Sequence, residues 1–348
     1  MNPDLILSNY QFDLPEELIA VRPAEGRHHS KLLVYDQRND QVHHDSFVNL
    51  AKYLPENSQL VMNQSKVIPC RLLGEKTTGA KTEIFILGPF GNTNEQNCLI
   101  RTGSKKKVGD RYLIPQAEAE ITALNEDGTF QVYFHHAFEN LEQYLESNAL
   151  VPIPPYIRDG VADEKDREDY QTVYAKEPGS VAAPTAGLHF TDEVFHSLES
   201  RGIDKSFVTL HVGPGTFAPV KSETITDHKM HSEQFKVDAE NLSKLNSGKS
   251  LFAVGTTSLR VLESTWTPEG FNITPDQLFS TDIFLHPGKD VNSINGMITN
   301  FHLPGSSLLM LVSAIVGREK TLELYKIAIE NKYRFYSYGD AMLILRKP

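Results

Sequence analysis

The sequence has little that would mark a secreted or membrane protein. Only two of its 348 residues are cysteine, Cys70 and Cys98, too few for a disulfide framework and too isolated for a cysteine zinc site. The longest largely apolar run, at 308–316, is far shorter than the roughly 20 residues that a membrane helix needs. The first residues are acidic, whereas a secretory signal begins with a basic stretch. We therefore expect a cytoplasmic protein in a reducing compartment, with no membrane partner.

Basic side chains are also few, with 34 lysines and arginines against 45 acidic residues and a formal net charge of −11. An acidic chain is an unusual partner for nucleic acid, because phosphate contacts require lysine and arginine. The charge is uneven, however, and residues 66–111 carry nine basic and four acidic side chains, a net charge of +5. A basic region on an acidic body is typical of a nucleic-acid-binding surface. The alternative is a solvated loop that contains three consecutive lysines.

The length and the ordinary composition, 40% hydrophobic and 23% charged, indicate a globular protein with two domains. Strand-forming segments are concentrated at 66–149, where Asp127 and Gly128 supply a hairpin turn. The flanking segments alternate between strand-like and helical runs, such as LFAVGTT before SLRVLES. We predict an α/β fold: a large discontinuous domain over 1–65 and 150–348, with a sheet flanked by helices, and a small antiparallel β-barrel domain inserted at 66–149.

The most distinctive segment is SVAAPTAGLHF at 180–190, a nearly uncharged run of small residues whose one titratable group is His189. Small side chains let a ligand come close, so this run suits a tight pocket wall. Further motifs are DREDYQTVYA, FVTLHVGPGTF, DHKMHSEQF, VGTTSLR, TDIF, ITNFHLPGSSLLMLVSA and YRFYSYGDAM. Together they closely resemble the S-adenosylmethionine:tRNA ribosyltransferase-isomerase family of queuosine biosynthesis. The resemblance covers almost the whole chain and implies a small β-barrel inserted into a larger α/β domain.

Members of the resembled family use S-adenosylmethionine as a ribosyl donor. The resemblance implies that its ribose is transferred and isomerised onto 7-aminomethyl-7-deazaguanine at the tRNA wobble position, giving epoxyqueuosine and releasing adenine and methionine. It implies no metal or redox cofactor, because the sulfonium itself makes the neighbouring 5′ carbon acidic. We expect a monomer that binds the donor and the tRNA. Two alternatives remain: a paralogue that uses another acceptor, and a tRNA-binding module without catalytic activity.

Proton removal from that carbon requires a general base, and histidine suits the task near neutral pH. His189, His211, His231 and His302 all follow strand-like or small-residue runs, which places them at strand ends, where open α/β sheets build their sites. Glu233 follows His231 by two residues, so both side chains face one side of an extended segment. A structural role is the alternative for each histidine, and we expect at least one of them to transfer the proton.

Polar residues within the motifs are expected to orient the donor. Arg260 is a candidate partner for the methionine carboxylate, with Thr256 and Thr257 donating hydrogen bonds nearby. The resemblance places further substrate contacts at Arg71, Tyr170, Gln171, Thr185, Gly187, Gly213, Asp282, Asn300, Tyr338 and Asp340, and tRNA contacts at Arg101, Lys105, Lys106 and Lys107. Core packing is the alternative for the tyrosines, and a turn is the alternative for the two aspartates.

The spacing H-x-x-H-x-E at His228, His231 and Glu233 also invites a metal-site interpretation. A metal site needs three or four ligands with supporting contacts, and this segment has no helical pair of ligands, so we expect no metal there. Four positions differ from the residues usual in the resembled family, and they bear on how tRNA is contacted. They are Cys70, Ala218, His286 and Lys289.

Overall fold

The computed structural model describes residues 2–88, 93–135, 140–213 and 222–347, and Ala218 lies outside these ranges. Its strands are β1 (Lys31–Asp36), β2 (Gln41–Ser46), β3 (Ser58–Asn63), β4 (Ser65–Val67), β5 (Arg71–Lys76), β6 (Lys81–Ile86), β7 (Glu95–Thr102), β8 (Arg111–Ile114), β9 (Ala117–Leu124), β10 (Phe130–His135), β11 (Glu177–Ser180), β12 (Asp204–Leu210), β13 (Glu233–Lys236), β14 (Ser250–Val254), β15 (Trp266–Thr267), β16 (Gly270–Phe271), β17 (Phe279–Thr281), β18 (Gly296–Asn300) and β19 (Ala341–Leu345). Its α-helices are α1 (Leu141–Asn148), α2 (Asp166–Asp169), α3 (Asp192–Ser200), α4 (Ala239–Leu245), α5 (Gly255–Thr265), α6 (Ser307–Val316) and α7 (Arg318–Glu330).

A nine-stranded mixed sheet forms the centre of the larger unit, in the order β17–β13–β12–β3–β14–β18–β19–β1–β2. The central strands β12, β3, β14 and β18 run parallel. Parallel strands are covered on both faces, and β3 and β18 are accordingly buried at every residue. Alternate residues of β1 point to opposite faces, so Leu33 and Tyr35 join one core while Leu32 and Val34 join the other.

Helices cover both faces of this sheet. On one face α5, α6 and α7 contribute Leu259, Met310 and Leu324 to the core. On the other face α3 contributes Val194, next to the 3-10 helix Phe47–Lys52. The predicted α/β architecture, with a sheet flanked by helices, is confirmed. Within the described ranges, the structure contains no helix with the length and apolar character of a membrane span.

Six antiparallel strands close into a barrel in the order β10–β7–β6–β5–β8–β9. Alternate side chains fill its interior, so Leu72 is fully buried while the next residue, Leu73, is 47% exposed. Cys70 and Cys98 lie in this interior as free thiols, and burial raises the pKa of both. The turn between β9 and β10 contains Gly128 at φ = 83°, as the sequence predicts. The inserted barrel is confirmed, whereas the domain boundaries at 66 and 149 stay a prediction.

Candidate active site

The parallel strands β12, β3, β14 and β18 end at one edge of the sheet, and predicted site residues follow these ends. His211 comes directly after β12, Gly255 directly after β14, and Asn300 is the last residue of β18. β19 runs antiparallel to β18, so Asp340, just before its first residue, returns to the same edge. Open α/β sheets bind their ligands at the carboxyl ends of strands. The fold thus brings to one edge candidates that are far apart in the sequence.

A cleft of about 920 Å³ lies between this edge and the barrel. Its volume is within the range of small-molecule sites, about 300–1,000 Å³. Of the predicted site residues, the cleft is lined by His211, Gly213, His231 and Glu233. The barrel and the start of α1 supply polar residues to its wall, namely Asn97, Asp127, Thr129, Asn140 and Glu142. The cleft is therefore the candidate active site.

His211 stands in the cleft wall against β11. Its backbone N–H donates to the Gln234 carbonyl at 2.9 Å, which continues the pairing of β12 with β13. Gly179 of β11 has φ = 140°, and a Cβ atom there would lie 2.6 Å from His211 Nδ1, so the imidazole packs directly on the glycine backbone. Nδ1 is buried and has no hydrogen-bond partner in the described ranges. Burial and the charge of Lys236 lower the pKa of His211, which keeps the ring neutral at pH 7.

Contacts with Gly213 and Arg260 hold Glu233 in the cleft wall. One carboxylate oxygen accepts a hydrogen bond from the Gly213 N–H at 2.9 Å, and the other forms an ion pair with Arg260. Glu233 and Arg260 are each only 5% exposed. Arg260 also donates to the Thr281 carbonyl at 3.4 Å. The pair therefore connects α5, β13 and the segment after β12. The guanidinium of Arg260, which the sequence predicts to bind the donor, already has a carboxylate partner.

His231 lies exposed on the rim of the cleft, on the side that faces the barrel. Hydrogen bonds from Thr129 lower the pKa of Asp127, and the imidazole of His231 adds a small effect in the same direction. His228 packs its ring edge-on against Phe284, with the ring centres 5.5 Å apart. Over the described residues, no group of three or more His, Cys, Asp or Glu side chains is arranged to hold a metal ion.

The small-residue run forms the 3-10 helix Thr185–His189 beneath the strand ends. Gly187 packs so tightly that an added Cβ atom would lie 1.9 Å from the Tyr174 hydroxyl, so no side chain fits at this position. The run therefore serves close packing against Tyr174. Thr185, predicted as a substrate contact, is half-buried at the beginning of the helix.

His189 belongs to a packed cluster and does not line the cleft. Its Nδ1 lies 2.8 Å from Ser30 Oγ and its Nε2 lies 3.1 Å from Asn300 Nδ2. Because an amide nitrogen only donates, Nε2 accepts and Nδ1 carries the proton. Burial, together with the charges of Arg334 and Arg27, lowers the pKa of His189 to about 3. The adjoining cavity, about 10 Å³, leaves room for no more than a water molecule.

His302 is buried in a similar way. Its Nε2 lies 2.8 Å from Thr299 Oγ1, and its backbone N–H donates to the Tyr325 hydroxyl at 3.0 Å. Burial lowers the pKa of His302 to about 3. Thr256 and Thr257 occupy the first turn of α5 and are 9% and 8% exposed. None of these three predicted residues lines the cleft.

Asp340 binds backbone groups at the sheet edge. It accepts hydrogen bonds from the N–H groups of Lys31 at 2.9 Å and Arg334 at 2.7 Å. These contacts fasten the start of β1 to the segment before β19. Asp282 is exposed and follows β17 directly. Both aspartates lie outside the cleft lining.

Tyr170, Tyr338 and Gln171 stabilise the irregular segment around α2. Tyr338 donates to the fully buried carboxylate of Asp166 at 3.2 Å, and the rings of Tyr170 and Tyr338 meet edge to face with centres 6.0 Å apart. Gln171 bonds both backbone groups of Val67, accepting from its N–H at 3.2 Å and donating to its carbonyl at 3.1 Å. Gln171 thus joins the segment to β4, the strand that precedes the barrel in the chain.

The predicted basic residues lie on the barrel. Arg71, at the start of β5, is 6% exposed and forms an ion pair with Glu83 at 2.6 Å. Arg101 and the three lysines at 105–107 are exposed. Lys106 donates to a backbone carbonyl of β7 at 3.0 Å, so its reach toward solvent is restricted. Of the predicted contacts, Arg101 and the lysines at 105–107 are therefore exposed, whereas Arg71 is engaged inside the protein.

Sequence reasoning missed the polar wall that the barrel contributes to the cleft. Asp127 accepts hydrogen bonds from the Thr129 N–H at 2.9 Å and from its hydroxyl at 2.6 Å. Asn125 donates to Asn97 at 3.0 Å and to Thr129 at 2.8 Å, which fixes the turn. The sequence marked Asp127 only as a turn residue. No local pattern indicates that this turn meets the sheet edge, because the contact arises from the placement of the barrel.

Comparisons with known proteins agree over nearly the full length. The family model described as "Queuosine biosynthesis protein" matches residues 7–344. A Caldanaerobacter subterraneus subsp. tengcongensis protein named S-adenosylmethionine:tRNA ribosyltransferase-isomerase is 46% identical over 347 residues, which cover 97% of this chain and 99% of the relative. A protein of the same name from Carboxydothermus hydrogenoformans is 45% identical over 346 residues, again with 97% and 99% coverage. A crystal structure titled as S-adenosylmethionine tRNA ribosyltransferase from Thermotoga maritima is 32% identical, with a TM-score of 0.54 over 97% of this chain and 100% of that chain.

Proposed function

The chain belongs to the queuosine biosynthesis protein family, and we propose that it is an S-adenosylmethionine:tRNA ribosyltransferase-isomerase. In this proposal the ribosyl group of S-adenosylmethionine is transferred to 7-aminomethyl-7-deazaguanine at the wobble position of tRNA and isomerised. The product is epoxyqueuosine, and adenine and methionine leave. The protein acts as a cytoplasmic monomer and supplies acid–base groups, orientation and exclusion of water.

The observation that carries the proposal is the cleft between the strand ends and the barrel. Its volume of about 920 Å³ suits a nucleoside-sized donor together with the acceptor base. Histidine and carboxylate side chains line it beside a glycine of the HVG motif, so titratable groups and close backbone approach occur in one place. A proton transfer next to a sulfonium needs this combination of a base, a negative wall and restricted water.

Among the candidate bases, we assign proton removal to His211. His189 and His302 are hydrogen-bonded within packed clusters and lie outside the cleft lining. Glu233 is engaged by Gly213 and Arg260. His211 has a neutral ring in the cleft wall, and because Nδ1 is buried, Nε2 is the nitrogen available to a ligand. In the step, the proton on the 5′ carbon passes to Nε2, and the electron pair stays on carbon beside the positive sulfur.

Glu233 acts in this proposal as a positioning residue. Its ion pair with Arg260 fixes the carboxylate, which in turn fixes the N–H of Gly213 two residues after His211. The carboxylates of Asp127 and Glu142 give the cleft wall further negative charge, which favours a sulfonium cation. We propose that His231, which is exposed on the rim, meets the acceptor as it enters from the side of the barrel.

The tRNA backbone is proposed to contact the barrel, with the domain boundaries at 66 and 149. Arg101 and the lysines at 105–107 are exposed there, on a chain that is otherwise acidic. Phosphate contacts depend on such side chains, and they orient the nucleic acid without reading its bases. This orientation would carry the wobble base toward the cleft.

The test supplies the purified protein with S-adenosylmethionine and a tRNA that carries 7-aminomethyl-7-deazaguanine. The mass of the modified nucleoside and the release of adenine are followed together. Epoxyqueuosine with stoichiometric adenine supports the proposal. Adenine release with a different nucleoside product would indicate another acceptor, and binding of tRNA without adenine release would indicate a module without this activity. A tRNA with unmodified guanine at the wobble position is the matched control.

A further inference from the structure

The first turn of α5 is an uncapped helix start at the carboxyl edge of the sheet. The residue before the helix, Val254, has no side chain that could accept a hydrogen bond. The N–H groups of Thr256 and Thr257 have no hydrogen-bond partner among the described residues. The start of a helix concentrates such free donors and carries a partial positive charge, which together favour an anion. α5 has 11 residues, long enough for this effect.

A second observation at the same turn is the hydroxyl of Thr257. The residue is 8% exposed, and its Oγ1 atom is buried with no hydrogen-bond partner within the ranges that the structure describes. A buried hydroxyl without a partner lowers stability, because it has lost its hydrogen bonds to water. By contrast, the buried hydroxyls of Ser258 and Thr265 in the same helix donate to carbonyls of the preceding turn at 2.8 and 3.0 Å. The buried Thr257 hydroxyl is therefore left to bind something else.

Gly255 keeps the space beside this hydroxyl open. Its φ of 84° belongs to the left-handed region, and a Cβ atom at this position would lie 3.8 Å from Thr257 Oγ1 and 3.5 Å from the Cβ of Ala186. Any side chain on residue 255 would thus fill the space between the helix start and the small-residue run. The turn is a small cradle of N–H donors and one hydroxyl, bounded by an alanine.

The cradle lies near the cleft. α5 follows β14, which is separated from β12 and its neighbour His211 by β3 alone, so the two strand ends are about 10 Å apart at two strand spacings. A short alkyl chain separates the carboxylate of S-adenosylmethionine from its sulfonium, so one donor molecule can bridge this distance. Arg260, the side chain expected to bind that carboxylate, is committed to Glu233.

We propose that the first turn of α5, through the N–H groups of Thr256 and Thr257 and the Thr257 hydroxyl, binds the carboxylate of S-adenosylmethionine. The inference rests on the proposed function, because it takes the donor from it. A phosphate of tRNA has similar chemistry, but the cradle is nearly closed, with Thr256 and Thr257 9% and 8% exposed. A terminal carboxylate can enter such a space, whereas a phosphodiester within a polymer brings its flanking sugars along.

The test measures binding of S-adenosylmethionine and of its decarboxylated analogue by calorimetry to the full chain and to Thr257→Val. The variant keeps the shape of the side chain and removes the hydroxyl. We expect S-adenosylmethionine to bind roughly tenfold more weakly, because a hydrogen bond to a charged group is lost, while binding of the analogue stays within about twofold. Thr257→Ser should restore binding of the donor. Thr265→Val, at the other end of the same helix, is the matched control and should leave the ratio of the two affinities unchanged.

The apo protein provides an independent readout. If the Thr257 hydroxyl serves a ligand, Thr257→Val should not lower the thermal midpoint, because no internal hydrogen bond is lost. Equal weakening of both ligands, or unchanged donor binding, would overturn the proposal. Weaker tRNA binding with unchanged donor binding would mean that a phosphate occupies the turn, which also overturns it. Failure of the unaltered protein to bind S-adenosylmethionine at all would instead refute the proposed function.

Discussion

Replacing Gly179 by alanine displaces the imidazole of His211 without touching the ring chemically. The new Cβ atom would lie 2.6 Å from Nδ1, 2.7 Å from Cε1 and 3.2 Å from Cγ of His211. Ordinary contact between such atoms is about 3.5 Å or more, so the ring has to move by roughly 1 Å or the bulge in β11 has to open. The register of β11 against β4 already shifts at this glycine, between Pro178 and Ser180.

The expected effects on stability and on activity differ in size. A side chain at φ = 140° is strained, which costs about 1–3 kcal/mol of folding free energy. A displacement of about 1 Å in a catalytic group can cost about 100-fold in rate. We therefore expect Gly179→Ala to fold with a moderately lower thermal midpoint, to bind S-adenosylmethionine within a few fold, and to lose about two orders of magnitude in kcat.

Gly248→Ala is the control for the strain alone. Gly248 also has a positive φ, 76°, but nothing lies within 4 Å of the position of its Cβ atom. The assay compares kcat and KM for epoxyqueuosine formation with the exchange of deuterium from the 5′ carbon of the donor, in both variants. If Gly179→Ala folds and keeps kcat within about threefold of Gly248→Ala, the position of the His211 ring does not limit the reaction. The assignment of His211 as the base would then be wrong.

Three further outcomes follow from the contacts. The pKa of His189 is about 3 in the folded protein against about 6.5 in an unfolded chain, so the unfolded state binds the extra proton between these values and stability falls as pH decreases through that window. His189→Gln should flatten the pH dependence of the urea-derived unfolding free energy by up to about 1.4 kcal/mol per pH unit, and an unchanged slope would contradict the buried neutral ring. Arg260→Gln leaves the buried Glu233 carboxylate without its cation and should lower the free energy of unfolding by about 3 kcal/mol. The double variant with Glu233→Gln should recover part of this loss. Additive losses in the two single variants and the double variant would contradict the ion pair. Changing Lys105 and Lys107 to glutamine should reduce the slope of log affinity for tRNA against log salt concentration by about one to two. The same change at two lysines of α7 should leave the slope unchanged. Equal slopes in the two variants would mean that the lysine loop is solvated and does not contact tRNA.

The fold could be predicted largely from local patterns. Alternation of side chains and the turn at Asp127 and Gly128 indicate a hairpin whatever the tertiary context, because both depend on neighbours in the sequence. The runs before α5 and α6 likewise mark a strand followed by a helix, as β14 with α5 and β18 with α6 show. The order of the nine strands could not be read in this way. It depends on which strands pair across long separations, and the chain does not encode that pairing locally.

The site was harder to predict, because one sequence signal has two structural outcomes. His211 and His302 follow β12 and β18, which end at the same sheet edge, whereas His189 ends the 3-10 helix Thr185–His189. His189 and His302 turn into the packed layers, where Asn300 and Thr299 receive them. His211 remains at the cleft because Gly179 provides a flat surface and no hydrogen bond. The residues that each histidine meets across the fold decide whether its ring is packed and hydrogen-bonded or stays in the cleft wall.

The same reasoning explains why Arg260, which the sequence predicts to bind the methionine carboxylate of the donor, is engaged elsewhere in the structure. Arg260 looks like a ligand-binding cation when the sequence is read alone, since its motif follows a strand and begins a helix. Glu233, 27 residues earlier, takes up its charge in a buried pair. The buried pair of Arg260 and Glu233 organises the site. The first turn of α5, one turn before Arg260, keeps hydrogen-bond donors that have no partner among the described residues. In our proposal, recognition of the donor carboxylate beside this cleft therefore falls to the groups that the fold leaves unsatisfied, rather than to the group with the larger charge.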